Sequence, residues 1–227
     1  MPLLNGPKWP LSYYFWLARG FSNSAQSSYK NKQKSAVDLD DPSDIIIMIM
    51  SSILLVLKCF VFFFIGEYAL QPVLGAIWPY SKQVYASLSR KEQKQWGPRL
   101  VTVLHALVSC AIAAPVYLAP DATISAAAGG DPVFGFSPRA QRAYAFSCAF
   151  FIWDAMVCLR DRWGFGFVCH AVACTFCYAA GMQPFLHHIG CFFLLYEAST
   201  PFLHLRWFMR VAGRGESAAY VRVSQAF

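Results

Sequence analysis

The chain has 227 residues, of which 57% are hydrophobic, 17% aromatic and 14% charged, and its net charge is +7 at pH 7. A water-soluble domain carries about 25% charged residues, so this composition excludes an ordinary soluble enzyme or carrier. Nucleic-acid binding needs positive charges gathered on one folded face, whereas apolar segments separate the basic residues here. We therefore predict an integral membrane protein that binds no nucleic acid and keeps its basic loop residues at the membrane surface.

Residues 1–43 are predicted to form a flexible basic tail. Ahead of Asp38 the tail contains basic residues but no acidic one, and it is rich in Ser. This composition resembles a mitochondrial presequence, and a disordered tail close to a membrane surface is the alternative that we favour. The run WPLSYYFWLA at 9–18 is too short to cross a membrane and suits an aromatic anchor in the interface.

Five apolar segments follow the tail, and a segment of about 20 apolar residues predicts a transmembrane helix. They cover residues 45–66, 98–118, 140–159, 164–181 and 185–203, with a basic amphipathic interfacial segment at 67–97. Residues 44–209 are thus expected to form one membrane domain, an all-α bundle of five spans, and 210–227 a polar tail. Pro201 is expected to interrupt the fifth span. The distribution of basic residues favours a cytosolic C-terminus.

Ionisable side chains inside the predicted spans mark candidate functional residues. A charged group in hydrocarbon is costly, so such residues usually face a cavity or a partner. We expect His105, Asp154, Glu197 and Arg206 either to line an intramembrane lipid cavity or to form a polar clasp that holds the bundle together. His170 is the candidate for a general base, because an imidazole titrates near neutral pH.

The cysteines and the remaining histidines do not predict a metal site. The eight cysteines lie in or beside the predicted spans, where free thiols behave as small apolar groups. Cys174 and Cys177 form a CxxC pair without a second pair, and the histidine spacing fits no metal signature. His187 and His188 are expected to be solvated at a turn near the membrane edge. We predict no metal and no other cofactor.

Four motifs occur in a characteristic order along the chain. They are Trp96, Arg99 and His105-Ala106 in the second predicted span, DPVFGFSP at 131–138, FFIWDAMVCLRD at 150–161, and LLYEASTPFLHLRWFM at 194–209. Together they resemble the TLC (TRAM/LAG1/CLN8) domain family, in particular fungal-type members of the branch around TLC domain-containing protein 4. The resemblance covers about residues 60–210.

The sequence departs from the family pattern in two places. The family often has a His-His pair near the start of the fourth span, which corresponds to Cys169-His170 here, so only the second histidine is kept. The family domain also usually continues beyond this point, so we expect the bundle to lack the family's last one or two spans.

The resemblance implies two classes of function. The first is a non-catalytic role in membrane lipid homeostasis at the endoplasmic reticulum, with a lipid or acyl chain bound in a cavity among spans two to five. The second is a ceramide synthase-like reaction, in which an acyl-CoA acylates a sphingoid base and His170 is the general base. Ceramide synthases have paired aspartates in the span after the His pair, and this sequence lacks them. We therefore favour the first class, with membrane lipids as partners, and place the endoplasmic reticulum ahead of a mitochondrial membrane.

Overall fold

The computed structural model describes residues 42–226, so most of the predicted tail, with its aromatic run at 9–18, lies outside the described residues. Every regular element in the described range is helical. The α-helices are α1 (Pro42–Ile77), α2 (Pro79–Ser87), α3 (Arg90–Leu118), α4 (Pro138–Arg160), α5 (Phe165–Ala180), α6 (His187–Leu194), α7 (Thr200–Val211) and α8 (Ala218–Ala226). Short 3-10 segments occupy Ala126–Ala128 and Leu195–Ser199. The predicted all-α bundle is confirmed.

Within the described residues, three helices are long and apolar enough to cross a membrane. These spans are Ile46–Ile77, Arg90–Leu118 and Pro138–Arg160, and they correspond to the first three predicted spans. The fourth predicted span is the 16-residue helix α5, which is shorter. Large apolar side chains such as Ile53 and Phe64 are exposed along α1, as expected for a surface that faces lipid.

The first span continues well beyond the predicted end at residue 66. Glu67, which the sequence analysis placed in an interfacial connection, is 8% exposed in the middle of α1. Its carboxylate accepts two hydrogen bonds from Arg160 at the end of α4, at 2.5 and 3.2 Å. Because this ion pair satisfies the charge inside the bundle, the helix does not need to end there.

Gly97 brings the backbones of α1 and α3 into close contact beside this ion pair. A Cβ atom built at position 97 would overlap the carbonyl oxygen of Glu67. Small residues at helix crossings allow such close approach in membrane proteins. Gly97 therefore sets the distance between the first two spans at the level of the Glu67–Arg160 pair.

The fifth predicted span is divided into three pieces. α6 is followed by the 3-10 segment Leu195–Ser199 and then by α7. Pro201 lies in the first turn of α7, where a missing backbone N–H leaves no hydrogen bond unmade. The expected interruption at Pro201 was therefore wrong in position: the irregular segment comes just before the proline, which belongs to the first turn of the next helix.

His187 organises the hairpin turn between α5 and α6. Its side chain is fully buried, which contradicts the expected solvation at the membrane edge. The Nδ1 atom accepts a hydrogen bond from the Ser137 backbone N–H at 2.9 Å, and Nε2 lies 2.9 Å from the Gly181 carbonyl oxygen. The imidazole thus connects the start of α4 to the turn, as a structural residue.

An ion pair orders the loop between α3 and α4. Asp121 accepts hydrogen bonds from Arg139 at 2.7 Å and from the Ser137 hydroxyl. Partial burial favours the neutral carboxyl, but these hydrogen bonds and the positive charges of Arg139 and Arg142 outweigh it and lower the pKa of Asp121. The Ser137 hydroxyl also accepts from the Ala140 N–H and so caps α4.

The close contact at Gly97 yields a prediction about stability. Gly97→Ala would gain helix propensity, but the new methyl group would overlap the Glu67 backbone. We therefore expect the free energy of unfolding to fall by about 1–3 kcal/mol. The measurement is the unfolding temperature of the detergent-solubilised protein. Gly166→Ala in α5 is the matched control, because a Cβ there meets open space, and it should leave the temperature unchanged or raise it. Equal behaviour of the two variants would contradict the proposed contact.

Candidate functional site

A cavity of about 590 Å³ lies among α3, α4, α5, the 3-10 segment Leu195–Ser199 and α7. Four of the five candidate residues from the sequence analysis line it: Asp154, His170, Glu197 and Arg206. They come from four different elements, and the structure brings them to one space. Its walls also include the aromatic side chains of Phe150, Phe151, Trp163, Phe167 and Trp207.

His105 lies behind the cavity wall and does not line the cavity. Its imidazole is fully buried and stacks on Phe150 with 3.7 Å between ring centroids and 4° between the ring planes. Nε2 lies 2.8 Å from the Ser109 hydroxyl and 3.3 Å from the Ser147 hydroxyl. Of the two roles expected for His105, this position fits the clasp between α3 and α4 and not direct contact with a ligand.

Two carboxylates and an imidazole line the cavity. Glu197 Oε2 accepts a hydrogen bond from the Thr200 hydroxyl at 2.9 Å, and Asp154 receives a weak one from Cys158 Sγ at 3.8 Å. Within the described residues, neither carboxylate forms an ion pair with Arg or Lys. His170 lies edge-on to Phe151 and is close enough to Glu197 for their charges to interact.

Arg99 lines the cavity although it was not among the candidate residues. Its guanidinium lies over the rings of Trp163 and Trp207, at 5.0 and 4.4 Å from the ring centroids. It also hydrogen-bonds Gln95 at 3.1 Å and His204 Nδ1 at 3.2 Å. All these partners are neutral or aromatic, so among residues 42–226 the positive charge of Arg99 is held at the cavity wall without an ion pair to a carboxylate.

Further cations line the cavity together with Asp161, whose carboxylate forms an ion pair with Arg160. Lys91, Arg162, Arg206 and Arg210 all belong to the lining of the cavity. The sequence spacing indicates part of this cavity lining. Lys91, Gln95, Arg99 and Thr102 recur at intervals of three or four residues and so share one face of α3. That regular polar face was the available signal for Arg99.

The chemistry available in this site is polar and acid–base chemistry by side chains. Carboxylates and an imidazole at one end can accept protons or bind an ammonium group, and the arginines can bind phosphate or carboxylate. In the part of the chain that the structure describes, no three His, Cys, Asp or Glu side chains are arranged to hold a metal ion.

Long apolar helices around a polar cavity define a polytopic helical membrane protein. A sequence profile of the TLC domain matches residues 95–227, which include every residue of the cavity except Lys91. Because the match covers more than half of the chain, the chain belongs to the TLC domain family. The resemblance inferred from the four motifs is thereby confirmed.

Known relatives carry the same family description. A TLC domain-containing protein of Schizosaccharomyces pombe is 31% identical over 57% of this chain and 43% of its own length. TLC domain-containing protein 4-B of Danio rerio is 28% identical over 78% of this chain and 64% of its own length. Human TLC domain-containing protein 4 is 29% identical over 63% of this chain and 51% of its own length. The chain thus spans less than two thirds of each of these relatives, and no solved structure matches it.

The setting of Arg99 between two indole rings predicts that lysine cannot replace it. A lysine ammonium is compact, and it cannot stack on Trp163 and Trp207 while also bonding both Gln95 and His204. We expect Arg99→Lys to reduce stability by about 1–3 kcal/mol, seen as a lower unfolding temperature in detergent. Arg90→Lys, at the exposed first residue of α3, is the control and should leave the temperature unchanged. An Arg99→Lys variant with the unfolding temperature of the wild type would show that only the positive charge at this position matters.

Proposed function

We propose that this protein binds a membrane lipid or acyl chain in the cavity and acts in membrane lipid homeostasis at the endoplasmic reticulum. The observation that carries the proposal is the cavity itself, whose walls combine aromatic rings with Asp154, Glu197 and Arg99. Such mixed lining suits an amphiphile, because its apolar part can contact the rings and its polar part the charges.

The ends of α3, α4 and α7 that surround the basic part of the cavity support a cytosolic opening. Lys91 lies at the start of α3, Arg162 follows the end of α4, and Arg210 lies in the last turn of α7. Basic residues at membrane-helix ends favour the cytosolic side. The ligand is therefore proposed to reach the cavity from the cytosolic leaflet.

Blocking the cavity tests this function. Thr102 lines the cavity, so Thr102→Phe should fill part of it, and Leu107→Phe is the matched control, because Leu107 is 57% exposed on the same helix and does not line the cavity. Each protein is purified in detergent, and the retained lipid is extracted and quantified by mass spectrometry. We expect the Thr102 variant to retain several-fold less lipid than the wild type and the control variant to retain the same amount. Equal retention by all three proteins would contradict binding in this cavity.

A second candidate function is acyl transfer from an acyl-CoA to a sphingoid base. The observation in its favour is that His170 lines the cavity and interacts electrostatically with Glu197, an arrangement that suits a general base. In this reaction the amine nitrogen would attack the thioester carbon while His170 accepts the amine proton. The CoA thiol would be the leaving group.

His170 also provides the test of the second candidate. Wild-type protein is incubated with labelled acyl-CoA and a sphingoid base, and the labelled amide product is measured. If the reaction occurs, His170→Ala should reduce its rate by about 10²–10⁴-fold, the range expected for loss of a general base. His188→Ala is the control, because His188 Nε2 lies against the Tyr117 carbonyl oxygen outside the cavity. No amide from folded wild-type protein would rule out this reaction and leave the lipid-binding proposal standing.

A further inference from the structure

A second recess, beside the lipid cavity, is lined mainly by cations. It lies between the start of α3 and the end of α4 and has a volume of about 420 Å³. We call it the basic recess, after the side chains of Arg90, Lys91, Lys94, Arg160 and Arg162 that line it. Lys91, Arg162 and the carboxylate Asp161 line both spaces, so the two spaces adjoin. Arg90 and Lys94 line the basic recess and not the cavity.

Most of the positive charge in the basic recess has no partner among residues 42–226. Arg160 forms ion pairs with Asp161 at 2.8 Å and with Glu67 at 2.5 Å, which engages the carboxylate of the recess. The side chains of the other four cations form no hydrogen bond or ion pair in that range. Like charges that share one recess repel each other, so the basic recess attracts an anion with several negative charges.

Arg162 occupies a backbone position that favours glycine. It follows the end of α4 with a φ of +54°, and the next N–H, of Trp163, donates to the Cys158 carbonyl oxygen at 3.1 Å. The left-handed residue at this kind of helix end is usually Gly, because a Cβ atom is strained there. An arginine at such a position indicates that its side chain has a role that offsets the strain.

Arg90 and Lys91 also occupy positions that disfavour cations. They lie in the first turn of α3, where the helix dipole is positive. The acidic residue of that turn, Glu92, accepts hydrogen bonds from Ser89 in a capping box and does not line the basic recess. The bias of basic residues towards one side of a membrane would be met equally well by loop positions. A bound anion makes this particular placement favourable.

The basic recess lies at the level of the lipid headgroups. It is formed where two candidate spans, Arg90–Leu118 and Pro138–Arg160, have their ends together. Trp78 and Tyr80, at the start of α2, are aromatic residues typical of the membrane interface. Basic pockets between transmembrane helices at this depth suit phosphorylated lipid headgroups.

We propose that the basic recess is a second lipid site, which binds the headgroup of a membrane phospholipid that carries several phosphates. Arg90, Lys91, Lys94 and Arg162 hold the phosphates, because arginine binds phosphate with paired hydrogen bonds and lysine binds it as a point charge. The acyl chains stay in the bilayer beside the helix ends. The inference does not depend on what the neighbouring cavity holds.

Two lipids that differ only in headgroup phosphates provide the first test. Dioctanoyl phosphatidylinositol 4,5-bisphosphate and dioctanoyl phosphatidylinositol are added to the full chain in neutral detergent, and binding is measured by native mass spectrometry. We expect the bisphosphate to bind about tenfold or more tightly, and in a solution titration this advantage should shrink at high salt. Equal affinities would overturn the proposal, and this comparison needs no variant.

A charge-matched pair of double variants locates the site. Arg90→Gln with Lys94→Gln should weaken the bisphosphate about 20-fold, because each basic residue near an anionic lipid contributes roughly a fivefold change. Lys82→Gln with Arg222→Gln removes the same charge from exposed positions that line neither the recess nor the cavity, and it should leave the affinity unchanged. Equal losses in the two double variants would contradict binding in the recess.

Arg162→Gly separates a binding role from a structural role. Glycine relieves the left-handed strain, so the unfolding temperature in detergent should stay the same or rise, while the affinity for the bisphosphate should fall about fivefold. An arginine kept only for folding would give the opposite result, with a lower unfolding temperature and an unchanged affinity.

Soluble phosphates distinguish a membrane lipid from a free anion. Inositol 1,4,5-trisphosphate and coenzyme A carry several phosphates without an acyl anchor in the bilayer. If either binds as tightly as the bisphosphate lipid, the assignment to a membrane lipid is wrong. None of these results bears on the lipid retained in the cavity, which the Thr102→Phe experiment tests separately, so the two proposals can fail independently.

Discussion

The stack of His105 on Phe150 is the interaction on which the rest of the site depends. In hydrocarbon a buried polar group is costly without a partner in the protein, and His105 Nε2 contacts Ser109 on its own helix and Ser147 on α4, while Nδ1 has no hydrogen-bond partner among the described residues. Phe63 of α1 packs edge-on against both rings, so three spans meet at this point. Because Phe150 also lines the cavity, the cavity wall is positioned by a histidine that does not itself line the cavity.

Charged side chains in this bundle are stabilised in two different ways. Glu67 and Arg160 neutralise each other directly, beside the close packing of α1 against α3 at Gly97. Arg99 is instead held by the faces of two indole rings and by neutral hydrogen-bond partners. An aromatic clamp stabilises a cation without a carboxylate, which leaves Asp154 and Glu197 available to another positive group.

The sequence predicted the composition of the site better than the shapes of the helices around it. Apolar length predicted the first three spans, and the cost of ionisable groups in hydrocarbon pointed to Asp154, His170, Glu197 and Arg206, all of which line the cavity. Glu67 misled the prediction of where the first span ends, because its partner Arg160 is 93 residues away in the chain. His105 resembled the other ionisable residues in the sequence, and only the packing of its neighbours shows that it stands behind the wall.

The contrast between Glu67 and the cavity carboxylates is the strongest physical argument that the site binds a ligand. If Asp154 and Glu197 served only to clasp helices, they would be expected to resemble Glu67, which is buried and fully engaged by an arginine. They instead contact a thiol and a hydroxyl, while Arg99 at the same cavity contacts indoles, an amide and an imidazole. Unpaired charges in a low-dielectric region are unfavourable, so either protonation or a bound group of opposite charge must neutralise these carboxylates. The cavity between these charges is the place where the lipid proposed above would supply such a group.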